Sequence, residues 1–481
     1  MKYNKTHPYT ILEYLSKFSF LFIIPVLQQL IIRPRSLLEI INTMGINILI
    51  LFLIVAFSIK EYSAINYHSS KHCLYLSYGV IFKKRSTIPY KNIHSITVTQ
   101  SIIPAIFGSI RLTLDTPSKK STKADISINL SNKNLNNTLK TINPKTSYKT
   151  VYTSSTPKII LMSASWSNSA AGLLFLAPFI NKLGTLIGEE ATERLYSTVD
   201  ISLQLVAFGV PPIAATLAYI LLAGWVISLL LQISRYTGFT VFKFKDNILI
   251  KRGLINTYSR ILKITDISAI SIKQSLLMKI LKLESAYINA VGNSKEKGDK
   301  NMLIACASKK ALKQSLYNTI PESLFVDLTK QSLFSIFPKT ASIKSFLFVP
   351  VSIFIFSLVI SIIFYTNSNY KQFIILFLIF IIPVLIWWIL FRVSAYRHSK
   401  ACLYPKQLLI NGFRRLSLIS GNIPLNKIQS IQITQNPLQK KVKRANLKIY
   451  VFSERKDYFL VKHLDLANVE NFVEKVNNLY N

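Results

Sequence analysis

The stretch IPYKNIHSITVTQS, Ile88–Ser101, decides the fold of this chain, because related stretches occur twice more. The second is LKITDISAISIKQS, Leu262–Ser275, and the third is IPLNKIQSIQITQN, Ile423–Asn436. Aligned without gaps, the three stretches place a glutamine at the same position: Gln100, Gln274 and Gln435. Self-similar segments of this kind indicate one supersecondary unit that is used three times.

Each stretch has the pattern of a β-strand with one buried face. In the first copy Ile96, Val98 and Gln100 alternate with hydroxyl residues, and a period of two with β-branched residues is typical of a strand. Pro89 and Pro424 stand where the chain enters the strand, a position that tolerates a missing N–H group. The amide of the shared glutamine either bonds the backbone of the following loop or contacts a ligand, and we favour the first interpretation.

The composition combines a high hydrophobic content with a large positive charge. Half of the 481 residues are hydrophobic, yet Lys and Arg number 58 against 21 Asp and Glu, so the net charge is +37. A charge of this size needs an acidic neighbour, either nucleic acid or anionic lipid. Cys73, Cys306 and Cys402 are too few and too scattered for a disulfide framework or a zinc site. They predict free, buried thiols in a reducing compartment.

Apolar segments come in pairs, and each pair precedes a β-rich region. Each segment is close to the length that a membrane-spanning helix needs. The pattern therefore predicts six transmembrane helices in three hairpins. The apolar segments are 15–32, 41–59, 170–187, 201–233, 343–365 and 373–391.

The chain divides into three hairpins that alternate with three β domains. The predicted hairpins are 1–59, 159–233 and 343–391, and the predicted β domains are 60–158, 234–342 and 392–481. A segment with helical spacing closes each domain. The domains hold 15, 18 and 16 Lys and Arg against 3, 7 and 5 Asp and Glu, whereas the loop Gly188–Asp200 holds four acids and one base. The positive-inside rule predicts a multi-pass protein of the cell membrane with its β domains in the cytoplasm.

The repeat resembles the bacterial pleckstrin-homology-like (PH-like) domains of the bPH2 type found in membrane proteins. The resemblance rests on Gly79 and Gly253 after a first strand, the Ile–Pro pairs, and the pattern I-x-S-I-x-V-x-Q with an apolar turn after it. Lys263 and Lys443 depart from it, standing where the first copy has Pro89 and Gly108. The resemblance implies a β-sandwich or barrel closed by a C-terminal helix, and membrane residence. Envelope maintenance or resistance to membrane-active peptides would be in keeping with such proteins.

No residue pattern in the sequence is typical of catalysis. There is no GxSxG motif and no glycine-rich phosphate loop. His68 and His72 stand near Cys73, but no acid or further thiol joins them to complete a metal site. We therefore expect a protein that is not an enzyme and that carries no cofactor and no metal.

Recurring basic clusters are the better functional lead. One cluster follows the first strand of each repeat. A further cluster follows the third copy of the repeated stretch, Ile423–Asn436. The residues are Lys83, Lys84 and Arg85; Lys251 and Arg252; Arg414 and Arg415; and Lys440 and Lys441. Near an anionic inner leaflet each such charge contributes about 1 kcal/mol, and the alternative is an ordinary solvated surface. Aromatic residues do not interleave with the clusters as base stacking requires, so nucleic acid is not an expected partner.

Two functions of different classes follow. The first is a non-enzymatic scaffold whose three cytoplasmic PH-like domains bind inner-leaflet lipid, above all anionic lipid, or a protein. That protein would be a smaller membrane protein with one PH-like domain, or a second copy of the chain. The second function is a transporter or lipid-handling channel formed by the six helices, in which Lys182 is the only clear ionisable candidate in the middle of an apolar segment.

Overall fold

The computed structural model describes three β domains of one design. The described residues are 3–18, 37–116, 126–142, 148–166, 212–290, 301–321, 324, 331–365, 371–414, 416–452 and 457–480. Each domain has a first sheet of four antiparallel strands and a second sheet of three, followed by a helix. In each domain one or two long helices are inserted between the first and second strands.

Domain 1 opens with a two-residue strand that precedes its long helix. The first sheet contains β1 (Asn4–Lys5), β2 (Asn66–Ser69), β3 (Cys73–Tyr78) and β4 (Lys84–Pro89), with α1 (Leu37–Ala64) between β1 and β2. The second sheet contains β5 (Ser95–Gln100), β6 (Ser109–Asp115) and β7 (Ile126–Ser131), and the short helix α2 (Ile102–Ile106) follows β5. The closing helix α3 (Asn132–Ile142) places Leu135 against a core that includes Leu74, Leu112 and Leu130.

Domain 2 repeats this order with two helices before its second strand. Its first sheet contains β8 (Lys149–Thr153), β9 (Thr240–Phe244), β10 (Asn247–Arg252) and β11 (Thr257–Lys263); α4 (Thr156–Trp166) and α5 (Pro212–Tyr236) lie between β8 and β9. Its second sheet contains β12 (Ile267–Ser275), β13 (Leu283–Ala290) and β14 (Met302–Ser308), with the short helix α6 (Leu276–Ile280) after β12 and the closing helix α7 (Lys309–Thr319). Ile159 and Met162 of α4 are buried in the domain core beside Phe239 and Ile248.

Domain 3 has the same plan. Its first sheet contains β15 (Phe334–Ile336), β16 (Lys400–Leu403), β17 (Gln407–Arg414) and β18 (Ser417–Pro424), with α8 (Ile343–Tyr365) and α9 (Lys371–His398) between β15 and β16. Its second sheet contains β19 (Ile428–Thr434), β20 (Arg444–Val451) and β21 (Tyr458–Asp465), with the short helix α10 (Pro437–Lys441) and the closing helix α11 (Leu466–Tyr480). Val469 and Phe472 of α11 are buried against the core of this domain.

Neighbouring domains are joined by strand pairing. β5 of domain 1 pairs antiparallel with β11 of domain 2, and β12 of domain 2 pairs antiparallel with β18 of domain 3. Two sheets of seven strands result, each made of three strands from one domain and four from the next. The pairing also buries residues on both faces of the repeat strands, such as Ser95, Ile96 and Thr97, where alternation alone predicts one buried face.

The prediction of six transmembrane helices is wrong. Within the described ranges, one helical segment, Ile343–Ile363, is long and apolar enough to cross a membrane. Part of the apolar surface that the sequence assigns to hairpins packs instead on the β domains: Met162, Phe346 and Phe391 are all buried there. The channel interpretation required six helices, and its key residue, Lys182, lies outside the described residues.

Strand boundaries differ from the sequence-based division in two respects. β8 lies before residue 158 yet belongs to the first sheet of domain 2, and β15 likewise precedes the helices of domain 3. Pro89 and Pro424 are the last residues of β4 and β18, and a 3-10 turn separates each from the repeat strand that follows. Each proline therefore ends a strand, and the missing N–H group falls where ladder pairing stops.

Candidate functional site

An exposed hairpin turn joins β3 to β4 in domain 1. Gly79 adopts φ +98°, and a Cβ atom there would lie 2.2 Å from the carbonyl oxygen of Phe82, so the tight turn requires glycine. The turn holds Ile81 and Phe82 in solvent, 79% and 80% exposed. Lys83, Lys84 and Arg85 follow at once and are also exposed. Two large apolar side chains and three cations thus occupy one protrusion.

The equivalent turn of domain 2 has the same geometry but a smaller charge. Gly253 again has φ +98°, and Leu254 and Ile255 are exposed. Lys251 is exposed, with Nζ 5.6 Å from the ring centre of Phe242. Arg252 is instead buried, its guanidinium 5.0 Å from the ring of Tyr236 and 4.7 Å from that of Tyr258. Arg252 therefore stabilises the junction of α5 with the sheet and is not available to a ligand.

Domain 3 carries its cations on a turn and on a short helix. Arg414 is exposed over the ring of Tyr458, at 5.1 Å, and Leu416 is exposed beside it; Arg415 lies outside the described residues. Further along, Lys440 and Lys441 are exposed on α10. Helix α10 also presents Leu438 and Val442 to solvent, so apolar and basic side chains are mixed here as well.

Backbone hydrogen bonds place these turns at the ends of the long helices. In domain 2 the N–H groups of Gly253 and Leu254 donate to Thr237 and Ser234 at the end of α5, at 2.8 and 2.9 Å. In domain 3 the ring of Phe413, next to Arg414, packs on Phe346 of α8 at 5.6 Å between ring centres. In domain 1, Asn66 lies just after the end of α1 and pairs with Ser77, just before the turn. The basic turns therefore lie on the side of each domain from which the apolar helices emerge.

Strand pairing brings the short helices of domains 1 and 2, α2 and α6, beside the turn of the next domain. Ile102 N–H, at the start of α2, donates to Asn256 Oδ1 in the turn of domain 2, at 3.3 Å. At the second junction, Lys279 Nζ of α6 donates to Ser394 Oγ of α9, at 2.6 Å. Exposed apolar residues from two domains thus lie together at each junction: Ile102, Ile103, Ile106 and Phe107 with Leu254 and Ile255, and Ile280 with Leu416.

We call this surface the helix-end rim. It consists of the three hairpin turns with their flanking residues (79–85, 251–256, and 414 with 416) and the three short helices α2, α6 and α10, each with the two residues that follow it. Its exposed cations include Lys83, Lys84, Arg85, Lys251, Arg414, Lys440, Lys441 and Lys443. None of its segments contains Asp or Glu, so the rim presents one sign of charge mixed with apolar side chains.

The repeat glutamines hold the short helices in place. Gln100, Gln274 and Gln435 each donate through Nε2 to the carbonyl oxygen nine residues further on, at 3.5, 2.9 and 2.7 Å. The acceptors belong to Ser109, Leu283 and Arg444. Each bond closes the loop that contains a short helix of the rim. The glutamines therefore fix the position of these short helices and do not themselves form the exposed surface of the rim.

A shallow cavity at the opposite end of domain 2 is a second basic location. It has a volume of about 550 Å³ and is lined by Lys149, Lys243 and Lys245 with Asn318. Lys243 Nζ already donates to the carbonyl oxygen of Asn318, at 3.3 Å. Lys245 lies in the turn between β9 and β10, whereas the rim turn lies between β10 and β11. The cavity and the rim are therefore at opposite ends of one sheet.

A buried polar cluster at the first junction was not evident in the sequence. Arg260 is 2% exposed, and its Nη2 donates to Ser95 Oγ at 3.3 Å; Ser95 Oγ in turn donates to Asp115 Oδ2 at 2.8 Å. Nearby, His94 Nδ1 and Asp266 Oδ2 are 2.6 Å apart. Only the pairing of β5 with β11 brings Arg260 and Asp266 of domain 2 to Ser95 and His94 of domain 1, so no local sequence pattern could have found the cluster.

The described residues contain no group of three His, Cys, Asp or Glu that could hold a metal ion. All three cysteines are free thiols, and burial raises the pKa of Cys306 to about 11. A thiol with so high a pKa is a poor nucleophile at neutral pH. The chemistry that the rim offers is therefore attraction of anions and burial of apolar side chains.

Three tandem two-sheet domains, each closed by a helix and bearing a basic rim, define a class of binding module. The chain belongs to the bacterial PH domain family: the family model matches residues 19–142, 197–319 and 345–480, one match for each domain. A search of curated proteins finds no match. Membership of this family indicates lipid or protein binding in general.

Proposed function

We propose that this protein is a non-enzymatic scaffold of the cell membrane whose PH domains bind anionic lipid headgroups at the cytoplasmic face. The helix-end rim is the contacting surface. Each of its cations near an anionic leaflet contributes about 1 kcal/mol, and apolar side chains add to this when they enter the headgroup region.

The turn of domain 1 is the observation that carries this proposal. Ile81 and Phe82 are about four-fifths exposed on a glycine turn, so most of their apolar surface faces solvent. Lys83, Lys84 and Arg85 flank them on one side. Exposed aromatic and aliphatic residues beside cations are the combination that peripheral membrane contacts use.

The long helices support the same orientation. Only 22% of the most apolar part of segment Ile343–Ile363 of α8 is buried, so this segment is not the core helix of a globular domain. Phe348, Phe356 and Ile362 are more than 60% exposed along it. A membrane anchored at this helix would meet the rim and not the cavity at Lys149, Lys243 and Lys245, because the cavity lies at the far end of the sheet. This position makes the rim the better candidate for headgroup binding.

A fluorophore at position 81 tests the proposal in the full-length chain. The variant Ile81→Cys, in a Cys73→Ser background, is labelled with an environment-sensitive dye and reconstituted in nanodiscs. We expect a blue shift of the emission in discs that contain anionic lipid and a smaller shift in neutral discs. The control, Asp246→Cys in the turn beside the cavity, is expected to show no shift. Equal emission from position 81 in neutral and anionic discs would contradict the proposal.

A charge series makes the test quantitative. Replacing Lys83, Lys84 and Arg85 with glutamine should lower the preference for anionic discs by about 1 kcal/mol for each charge removed. The matched control removes three exposed lysines elsewhere, in Lys149→Gln, Lys245→Gln and Lys313→Gln. If both triple variants lose the same preference, the effect comes from net charge and not from the rim.

We further propose that lipid binding by this scaffold serves envelope maintenance or resistance to membrane-active peptides. The test is to challenge cells that lack the gene with such peptides and to complement them with either triple variant. Only the control variant should restore resistance. Equal restoration by both would separate the physiological role from the rim.

A further inference from the structure

The two junctions between domains follow one rule. In both, the last strand of a four-stranded sheet (β11 or β18) pairs with the first strand of the preceding domain's three-stranded sheet (β5 or β12). The register is also the same. Thr257 lies opposite Gln100, and Leu418 lies opposite Gln274, so the repeat glutamine faces the equivalent residue each time.

Two strands in the described chain break this rule. β4 is the counterpart of β11 and β18, and it pairs only with β3 within the described residues. β19 is the counterpart of β5 and β12, and it pairs only with β20 there. The tandem array therefore ends at each side in the edge that elsewhere receives a neighbour.

Exposure of β19 shows what its counterparts gain from pairing. The first five residues of β12 are buried, whereas in β19 Gln429, Ser430, Gln432 and Ile433 are all exposed. Charged residues and prolines usually protect an edge strand from pairing with another strand. β19 contains neither. An unprotected edge of this kind is a template for another strand.

β4 contains Lys84, Arg85 and Pro89, which are protective residues in other edge strands. Here they do not block pairing. Pro424, the counterpart of Pro89, lies two residues beyond the last pair of its junction, Ile270 with Asn422. β11 pairs with β5 although it contains Arg260 and Lys263. Because β19 carries no cation, Lys84 and Arg85 would meet no like charge across the new pair.

We propose that β4 of one copy of this chain pairs antiparallel with β19 of a second copy. The chain itself supplies both halves of the interface, and the established register defines the contact. Lys83 lies opposite Gln435, Ser86 opposite Gln432, and Thr87 opposite Ile431. The interface is heterologous, so its repetition yields a closed ring or an open array of copies. This inference concerns the strand edges and does not rest on lipid binding by the rim.

Disulfide trapping between two tagged copies tests the register. One copy carries Ser86→Cys and the other Gln432→Cys, both in a Cys73→Ser background, and they are co-expressed in membranes. Oxidation should give a cross-linked dimer that contains both tags. Neither variant expressed alone should cross-link, because each supplies one half of the interface. The matched control replaces Gln432→Cys with Ile433→Cys, whose side chain points to the other face of the strand, and its yield should be at least tenfold lower.

Three results would overturn the proposal. The first is the absence of a mixed dimer, which would leave β4 and β19 to other occupants such as a single-domain partner. The second is a dimer from Gln432→Cys alone, which would indicate β19 paired with β19. The third is equal yield from Gln432→Cys and Ile433→Cys, which would indicate collision without a defined register.

Discussion

Arg260 in β11 donates a hydrogen bond through Nη2 to Ser95 Oγ in β5, at 3.3 Å, across the strand pair that joins domains 1 and 2. Its Nη1 reaches Asn301 Oδ1 at 3.5 Å. The residues come from segments that are far apart in the chain, and Arg260 is almost fully buried. A buried cation with hydrogen-bond partners in two domains fixes the position of one domain relative to the other.

Replacing Arg260 with methionine should therefore loosen this junction. The change keeps much of the side-chain volume but removes the donors to Ser95 and Asn301. We expect a loss of about 3 kcal/mol in the free energy of unfolding, because the change removes a buried cation and its hydrogen bonds from a polar network that contains the Asp115 carboxylate. Thermal unfolding of the full chain in detergent gives the measurement. The exposed Arg85→Met serves as control, and a comparable loss there would refute the role of Arg260.

Gly253 should be far less tolerant of alanine than Gly238. Both glycines have positive φ, +98° and +70°. A Cβ atom at Gly253 would lie 2.0 Å from Asn256 O, whereas one at Gly238 would have nothing within 4 Å. We expect Gly238→Ala to cost about 1 kcal/mol and Gly253→Ala about 3 kcal/mol. Similar melting temperatures for the two variants would be inconsistent with the tight turn.

Acid should destabilise domain 3 through His463. Burial, together with the nearby Lys462, Arg444 and Arg392, lowers the pKa of His463 from 6.5 to about 4. Between these values the unfolded chain binds a proton that the folded chain does not, so stability is complete above pH 6.5 and falls as the pH approaches 4. His463→Asn, chosen because asparagine accepts the φ of +59°, should flatten this part of the profile. Unfolding midpoints from pH 8 to pH 4 measure it, and an unchanged slope would count against the assignment.

Replacing the amide of Gln274 with a carboxylate should destabilise the protein more than truncating the side chain to alanine. Its Nε2 donates to Leu283 O at 2.9 Å. Gln274→Ala should cost about 1 kcal/mol, the usual value of one hydrogen bond. Gln274→Glu should cost more, because an ionised carboxylate would face a carbonyl oxygen. Gln314→Glu on the exposed face of α7 is the control, and equal effects of the two Glu variants would argue against the loop-closing role.

The triple repeat and its strands could be predicted from the sequence because period-two alternation and turn glycines are local signals. The basic clusters were equally visible, since charge is read directly from residue type. Burial of Arg252 between Tyr236 and Tyr258 was not predictable, because the first tyrosine comes from a helix and the second from a strand. The same limit applies to β8 and β15, which are short strands that join sheets across long insertions.

The prediction of six transmembrane helices failed for a related physical reason. Hydropathy measures how much a segment gains by leaving water, and a protein core satisfies that gain as well as lipid does. Ile159, Met162, Phe346 and Phe391 reach the interior of the β domains. Within the described residues, one helical segment, Ile343–Ile363, is long and apolar enough to cross a membrane.

By itself, the sequence determined that one β unit is used three times and that cations gather at equivalent turns, because both properties are written in residue type and spacing. Tertiary packing alone establishes that successive units share sheets, that Arg252 and Arg260 are buried, and that β4 and β19 are edge strands within the described residues. Backbone hydrogen bonds between strands form with almost any side chain, so the order of residues does not show which strands will pair. Which edge meets which is therefore set by the packing of whole domains.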